Sequence, residues 1–351
     1  MTSIESYGWK LYRNSSYLLS NGESIGRVIS IKGFKYYLAT ANNDLETELS
    51  GRMLYGSESE DLPKVGDWVT FLDYGENGYI IKVLPRMNEL ARKNPGNKTE
   101  RQVLAANIDY ALVVQGLDRD FNLMRVERYL TQISACNIDP IVVLNKVDLI
   151  ENREVYLKQV ENLKRDCQVF FCSTVTGHGI QTLRNALQPF KTYILVGSSG
   201  VGKSSLINIL LETDIQKIRS VSSFNSKGMH TTTSRDLFRL PGGSLLIDTP
   251  GMREFGLTTE EGEDKISPFP AIEPFAQACR YSDCQHTGES GCAVVVAVQK
   301  GELDNKIYES YLKLMKEHKR FEVRLEDRKR LNKQFGKLTR EAKNHRKKNK
   351  Y

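Results

Sequence analysis

No window of this chain approaches the roughly 18 consecutive apolar residues that a membrane-spanning helix requires, so no membrane partner is expected. The opening, MTSIESYGWKLYRNSSYLL, lacks the charged region, apolar core and small-residue cleavage site of a secretory signal, and a cytoplasmic location is expected. Cysteine is scarce, six in 351 residues. Cys136, Cys167 and Cys172 are isolated, which excludes a disulfide-stapled scaffold, whereas Cys279, Cys284 and Cys292 fall beside His286. In a reducing compartment such a cluster points to a metal.

What is present is ordinary for a globular protein: 40% hydrophobic and 26% charged residues. The length exceeds the roughly 100 to 200 residues of one domain, so two or three are expected. The net charge of +7 is unevenly placed. Tyr311 to Tyr351 carry 16 Lys and Arg against 5 Asp and Glu, a balance of +11 that leaves −4 for the rest. Such a run is either a solvated tail or a contact for a phosphate backbone.

Residues 1–85 read as short alternating segments broken by Gly, Asn and Asp, among them 24–29, 34–38, 67–71 and 79–83. This is an all-β module whose length suits a small OB-fold-like barrel. Residues 86–101 are polar, carry Pro and Gly, and read as a linker. From 102 to 258, apolar runs such as Tyr110–Val114, Ile141–Leu144 and Tyr193–Val196 alternate with amphipathic stretches such as Leu123–Ser134. That pattern predicts a doubly wound α/β sheet of buried parallel strands. Residues 259–351 hold Pro268, Pro270 and Pro274, then the Cys/His cluster, then a charged helical stretch.

Gly197-Ser198-Ser199-Gly200-Val201-Gly202-Lys203-Ser204 matches the phosphate-binding loop G-x-x-x-x-G-K-[ST] in full. An apolar strand leads in and a helix beginning at Ser205 follows, so backbone N–H groups and the helix dipole converge on phosphates. Lys203 is expected at the β and γ phosphates and Ser204 on Mg²⁺. Asp248-Thr249-Pro250-Gly251 follows the strand Leu245–Ile247. Asp248 is there the Mg²⁺-side carboxylate, and Gly251 offers its N–H to the γ phosphate. Asn145-Lys146-Val147-Asp148 matches N-K-x-D. A carboxylate at Asp148 accepts from the N1–H and N2 amine of guanine, a donor pair adenine lacks, while Asn145 and the Lys146 stem brace the loop and cover the ring. Ser173, in Cys172-Ser173-Thr174 after another apolar strand, sits where a backbone N–H can reach guanine O6.

The motif order is permuted: the guanine-reading motif precedes the phosphate loop, the reverse of ordinary GTPases. Because the termini of compact domains often lie close together, a permuted chain can still close the same sheet. Asp248 then leads directly toward Cys279, so nucleotide state could be transmitted along the chain. This order, the switch Gly228-Met229-His230-Thr231-Thr232-Thr233, the run Asp248 to Phe255, the Cys/His cluster and the β-rich N-terminus together resemble the ribosome small-subunit-dependent GTPase A family, over nearly the whole chain. The resemblance implies a multidomain α/β protein: an N-terminal OB-fold, a circularly permuted P-loop GTPase domain and a C-terminal zinc-binding domain with helices. It further implies GTP hydrolysis to GDP stimulated by the small (30S) subunit, contact with 16S rRNA, and a role in late maturation of that subunit.

Where many GTPases carry a glutamine after D-x-x-G to orient water, this chain has Met252. His230 is the candidate catalytic group, against the alternative of a loop or RNA contact. Thr232 or a neighbouring threonine is expected to give Mg²⁺ its second hydroxyl. Cys279-x₄-Cys284-x-His286-x₅-Cys292 suits one tetrahedral structural zinc per chain, with the resemblance supplying the spacing. A kinase sharing the phosphate loop is disfavoured by Asn145–Asp148. A permuted GTPase acting on the large subunit, or a nucleotide-gated RNA-binding module with little hydrolysis, stays open. The expected state is a monomer.

Overall fold

The computed structural model describes residues 3–12, 19–20, 22–58, 60–75, 77–93, 101–119, 121–163, 165–212, 235–248, 271–309, 311–312 and 315. His230, Thr232, Gly251 and the basic tail lie outside them. No helix among the described residues is long and apolar enough to cross a membrane. The chain divides into two units, one of residues 1–92 and 102–267, the other of 93–101 and 268–351.

The first unit opens with a short helix, α1 (Ser3–Ser6), then β1 (Glu23–Lys32), β2 (Lys35–Ala39), β3 (Asp44–Leu49), helix α2 (Gly51–Gly56), β4 (Trp68–Asp73) and β5 (Gly78–Val83). β1 is long enough to serve two neighbours. Glu23–Arg27 pair antiparallel with β4, and Arg27–Lys32 with β2, with a bulge between Val28 and Ser30. The pairings β2–β3, β3–β5 and β5–β4 complete a closed five-stranded barrel, in which only β3–β5 is parallel. Closure removes free edges, and the interior is filled by Val28, Leu38, Val69, Phe71 and Ile80. The OB-like expectation therefore holds, with one strand more than the sequence announced. β3 (DLETEL) turns Leu45, Thr47 and Leu49 inward, and its three carboxylates hide the alternation.

The stretch read as a linker holds β6 (Glu89–Lys93) and the first residue of β7 (Arg101–Ala106), which pair as a two-stranded sheet. Its entrance is anchored. Arg86 forms a two-pronged bond with the fully buried Asp67, at 2.9 Å from both Nε and Nη2, and also reaches Glu89 and the carbonyls of Glu60 and Leu62.

Next come β8 (Tyr110–Gly116), α3 (Leu123–Ser134), β9 (Asp139–Asn145), α4 (Glu154–Glu161), β10 (Gln168–Phe171), α5 (Ile180–Ala186), β11 (Thr192–Val196), α6 (Lys203–Leu211), β12 (Asp236–Arg239) and β13 (Leu245–Asp248). Strand order is β10-β9-β8-β11-β13-β12, all parallel except β12. Alternate residues feed cores on opposite faces: Ala111, Val113, Val142 and Leu144 meet Val126, Leu130 and Ile133 of α3, while Leu112, Val114, Val143 and Leu195 meet Leu206 and Leu210 of α6. Burial on both faces is why these strands read as unbroken apolar runs.

Barrel and nucleotide sheet are hydrogen-bonded into one eleven-stranded sheet. β1 meets β12 at Ser30 and Asp236, whose side chains bond at 2.5 Å. Beside this seam Arg27, 2% exposed, donates to the carbonyls of Tyr7 (2.6 Å), Gly66 (3.2 Å) and Asn107 (3.1 Å) and to Thr192 Oγ1 (2.9 Å). Its guanidinium also lies over the Trp68 ring. Burial pulls its pKa down to about 10, which leaves it charged at neutral pH.

Candidate functional site: a nucleotide cradle and a thiolate cluster

The cradle forms where β9, β10, β11 and β13 end, the edge at which open α/β sheets bind ligands. Gly197 leaves β11 with φ 146°, and a Cβ there would stand 2.2 Å from the Val114 carbonyl. Gly202 has φ 95°, and its Cβ would meet Asn145 Nδ2 at 2.3 Å. Both positions therefore demand glycine, for backbone conformation and for space. Ser199 and Gly200 are exposed at the loop's tip, and Val201 is buried in the core beneath it. Lys203, first residue of α6, turns its ammonium back onto the carbonyls of Gly197 (2.8 Å) and Ser198 (2.6 Å). Burial pulls its pKa below the ordinary range and the Asp248 carboxylate opposes that pull, so Lys203 and Asp248 feel one another's field. The Ser204 and Ser205 side chains are exposed in the first turn of α6.

Asn145, wholly buried at the end of β9, bridges the cradle. Its Nδ2 donates to the Val201 carbonyl at 2.8 Å and its Oδ1 accepts from Thr174 N at 3.3 Å. Three sequence motifs thus meet at one amide. Lys146 adopts φ 65° and pairs with Asp118. Val147 and Asp148 enter a 3₁₀ turn in which Val147 packs on the core and Asp148 is exposed. Val147 N is held by the Cys172 carbonyl at 3.1 Å. Ser173 is buried, and its hydroxyl accepts from the backbone of Val175 (3.2 Å) and Thr176 (3.1 Å), fixing the turn that follows β10. The residues expected to read a base and those expected to hold phosphates are therefore brought together. Asp118 and Arg125, which also touch these loops, carry no motif and were not foreseen.

In the second unit, Cys279, Cys284, His286 and Cys292 present ligand atoms all within 4.8 Å of one another. His286 Nδ1 lies 3.5 Å from Cys279 Sγ and 3.6 Å from Cys292 Sγ, and those sulfurs are 4.0 Å apart. Tetrahedral zinc, with Zn–S about 2.3 Å and Zn–N about 2.0–2.1 Å, requires ligand–ligand edges of roughly 3.5 and 3.8 Å. The donor set fits that ion, with every tetrahedral position supplied by protein. Glu289 organises the intervening loop, its carboxylate accepting from the backbone of Gln285, Thr287 and Gly288 and from the Thr287 hydroxyl. A bond from its own backbone N–H, together with those from Thr287 and Gln285, holds its carboxyl down at about 2. Tyr308 bonds the His286 carbonyl at 2.6 Å, and the helix Ala293–Gln299 starts directly after Cys292.

A phosphate loop after β11 and N-K-x-D after β9, in a sheet of this order, define a GTPase whose chain is circularly permuted. Comparison with known proteins narrows the class. The RsgA GTPase family model matches residues 83–258, beginning ahead of the expected domain boundary and taking in β6 and β7. The chain belongs to the RsgA GTPase family. It is 38% identical to Small ribosomal subunit biogenesis GTPase RsgA 1 of Bacteroides thetaiotaomicron, over 97% of both chains. It is 40% identical to Small ribosomal subunit biogenesis GTPase RsgA of Syntrophotalea carbinolica, over 89% of this chain and 88% of the relative. Its fold is that of YjeQ from Thermotoga maritima (TM-score 0.62, 24% identity, 84% of this chain and 98% of that one). It is likewise that of YloQ, a circularly permuted GTPase (TM-score 0.60, 23% identity, 88% and 96%).

Proposed function

We propose that this chain hydrolyses GTP to GDP in late assembly of the small ribosomal subunit, binding 16S rRNA and turning over fastest on the 30S particle. The observation that carries the nucleotide half is Asn145, one amide joining the N-K-x-D loop to the phosphate loop and to the turn after β10. The ribosomal half is supported by relatives named as small-subunit biogenesis GTPases across most of their length.

In this reading Asp148, exposed on its turn, accepts from guanine N1–H and N2–H₂, and the Lys146 stem covers the base. Gly197 to Gly202 offer backbone N–H groups to the phosphates, and Lys203 leaves the carbonyls it now touches to meet them. Ser204 and Asp248 stand where Mg²⁺ would be held, the ion neutralising charge on the β and γ oxygens. Gly251 serves the γ phosphate, Thr232 completes the Mg²⁺ shell and His230 orients water in place of the glutamine that Met252 displaces. Cys279, Cys284, His286 and Cys292 would hold one structural zinc, and the basic tail contacts rRNA in a cytoplasmic, monomeric protein.

The test is GTP and ATP turnover with and without purified 30S and 50S subunits. Selective stimulation of GTP hydrolysis by 30S is expected; ATP preference, or indifference to both particles, rejects the proposal. His230→Ala should suppress the stimulated rate far more than GTP binding. Equal rates at saturating 30S would remove His230 from the mechanism.

A further inference from the structure

Two side chains, one just after β8 and one in the first turn of α3, reach opposite ends of the cradle. Asp118 accepts from Lys146 Nζ, a pair in which both side chains are 28% exposed. Seven residues later, Arg125 in the first turn of α3 donates from Nη1 to Ser198 Oγ at 3.0 Å. The segment that carries both is itself fixed. Leu117 N donates to the Asn145 carbonyl (2.8 Å), Phe121 N to the Asp118 carbonyl (3.0 Å), and Asn122 Oδ1 caps α3 by accepting from Arg125 N (3.0 Å). On the far side of α3, Glu127 is locked to Arg165 at 2.7 Å.

We infer that Asp118 and Arg125 are positioning residues, a two-point brace that sets the base-reading loop and the phosphate loop at a fixed distance from one another. The inference rests on the nucleotide-site reading above. Lys146 stands in a left-handed conformation, and its four-carbon stem has many rotamers to lose. Tying the ammonium to Asp118 holds the stem where it can lie along a base. Ser198 is gripped twice, its carbonyl by Lys203 and its hydroxyl by Arg125. When Lys203 swings to the phosphates the first grip is released, and Arg125 keeps the loop in place. Arg125 thus acts most strongly in the nucleotide-bound state, where a purely structural contact would act equally with and without ligand.

The test uses the full chain, labelled GDP and IDP as probes, and dissociation followed by stopped flow. Arg125→Met and Ser198→Ala should each weaken GDP binding roughly three- to ten-fold, the range that one partly exposed hydrogen bond of ordinary strength allows. Most of the loss should appear as faster dissociation, and the double variant should be no worse than either single one. Thermal midpoints of the nucleotide-free proteins should stay within about 2 °C of wild type, as expected when a contact matters chiefly to the liganded state. Asp118→Ala should weaken GDP and IDP by the same factor, because the stem covers either base, whereas loss of Asp148 abolishes the preference between them. Additive losses in the double variant, unchanged dissociation, or a midpoint drop matching the affinity loss would overturn the brace while leaving the nucleotide site standing. A wild-type chain that binds neither nucleotide would overturn both.

Discussion

The side chain of Asn145 donates to the backbone carbonyl of Val201 at 2.8 Å across 56 positions of sequence. Through that bond, the end of β9 and the loop after β11 fold as one object. Because the amide is wholly buried and both ends are used, removing it strands a carbonyl and an N–H at once. Asn145→Ala should cost about 1–3 kcal/mol of stability for the unpaired groups, and GDP should dissociate at least about ten-fold faster, the equivalent of 1.4 kcal/mol. Urea unfolding and dissociation of labelled GDP check the two effects separately.

Asp148→Asn exchanges a pair of acceptors for one acceptor and one donor. Xanthine carries a carbonyl where guanine carries the N2 amine, so the variant should prefer XDP to GDP, reversing the wild-type order. Competition between the two diphosphates measures it. Retention of guanine preference would move base recognition elsewhere.

Arg27 seats the barrel against the start of β8 and β11 through Asn107 and Thr192, and it also donates to the carbonyls of Tyr7 and Gly66. Arg27→Met should lose about 3 kcal/mol, since several buried acceptors are left unpaired at about 1–3 kcal/mol apiece, offset by relaxation. Arg27→Lys should recover only part of this, because one ammonium cannot copy a planar fork. Denaturant midpoints of the three proteins give the order.

Glu127 supplies a pH test. Burial pushes its carboxyl above the ordinary value of 4.5, against the opposing bonds from Arg165. The folded state therefore holds this proton more tightly than the unfolded one. Stability from this group is complete below pH 4.5, falls as pH rises toward the folded pKa, and is level beyond it. Measured against Glu127→Gln across pH 4 to 7, wild type should lose ground as pH increases. The opposite slope would mean that Arg165 outweighs burial.

Metal analysis of protein purified without added zinc should find about one zinc per chain. Thiol titration of the same sample should detect chiefly Cys167, since Cys136 and Cys172 are buried. A strong chelator should then release three further thiols. Four reactive thiols before chelation, with no metal found, would remove the site.

What could be read from sequence was whatever chemistry writes contiguously. The phosphate loop and N-K-x-D each fit within eight residues, and strands buried on both faces announce themselves as apolar runs. Groups that act through distant partners left no such trace. Arg27, Asp118 and Arg125 find theirs 165, 28 and 73 positions away, and before folding each is one charged residue among many. β3 was hidden by its outward carboxylates. β6 was hidden by a polar composition that suggested a tether, although Arg86 pins the start of that stretch to a buried aspartate.

The meeting of Ser30 with Asp236 bears on how this protein can be dissected. In a nucleotide-binding sheet the outermost strand ordinarily faces water with unsatisfied backbone groups. Here the barrel's first strand meets it at Ser30 and Asp236, and Arg27 of the same strand bonds Asn107 and Thr192. A fragment beginning at residue 102 would not be a minimal GTPase. It would carry an open edge at β12 and lack the donor that Thr192 and Asn107 depend on, so it should aggregate where the intact chain does not. The two modules have separate folds but not separate existences.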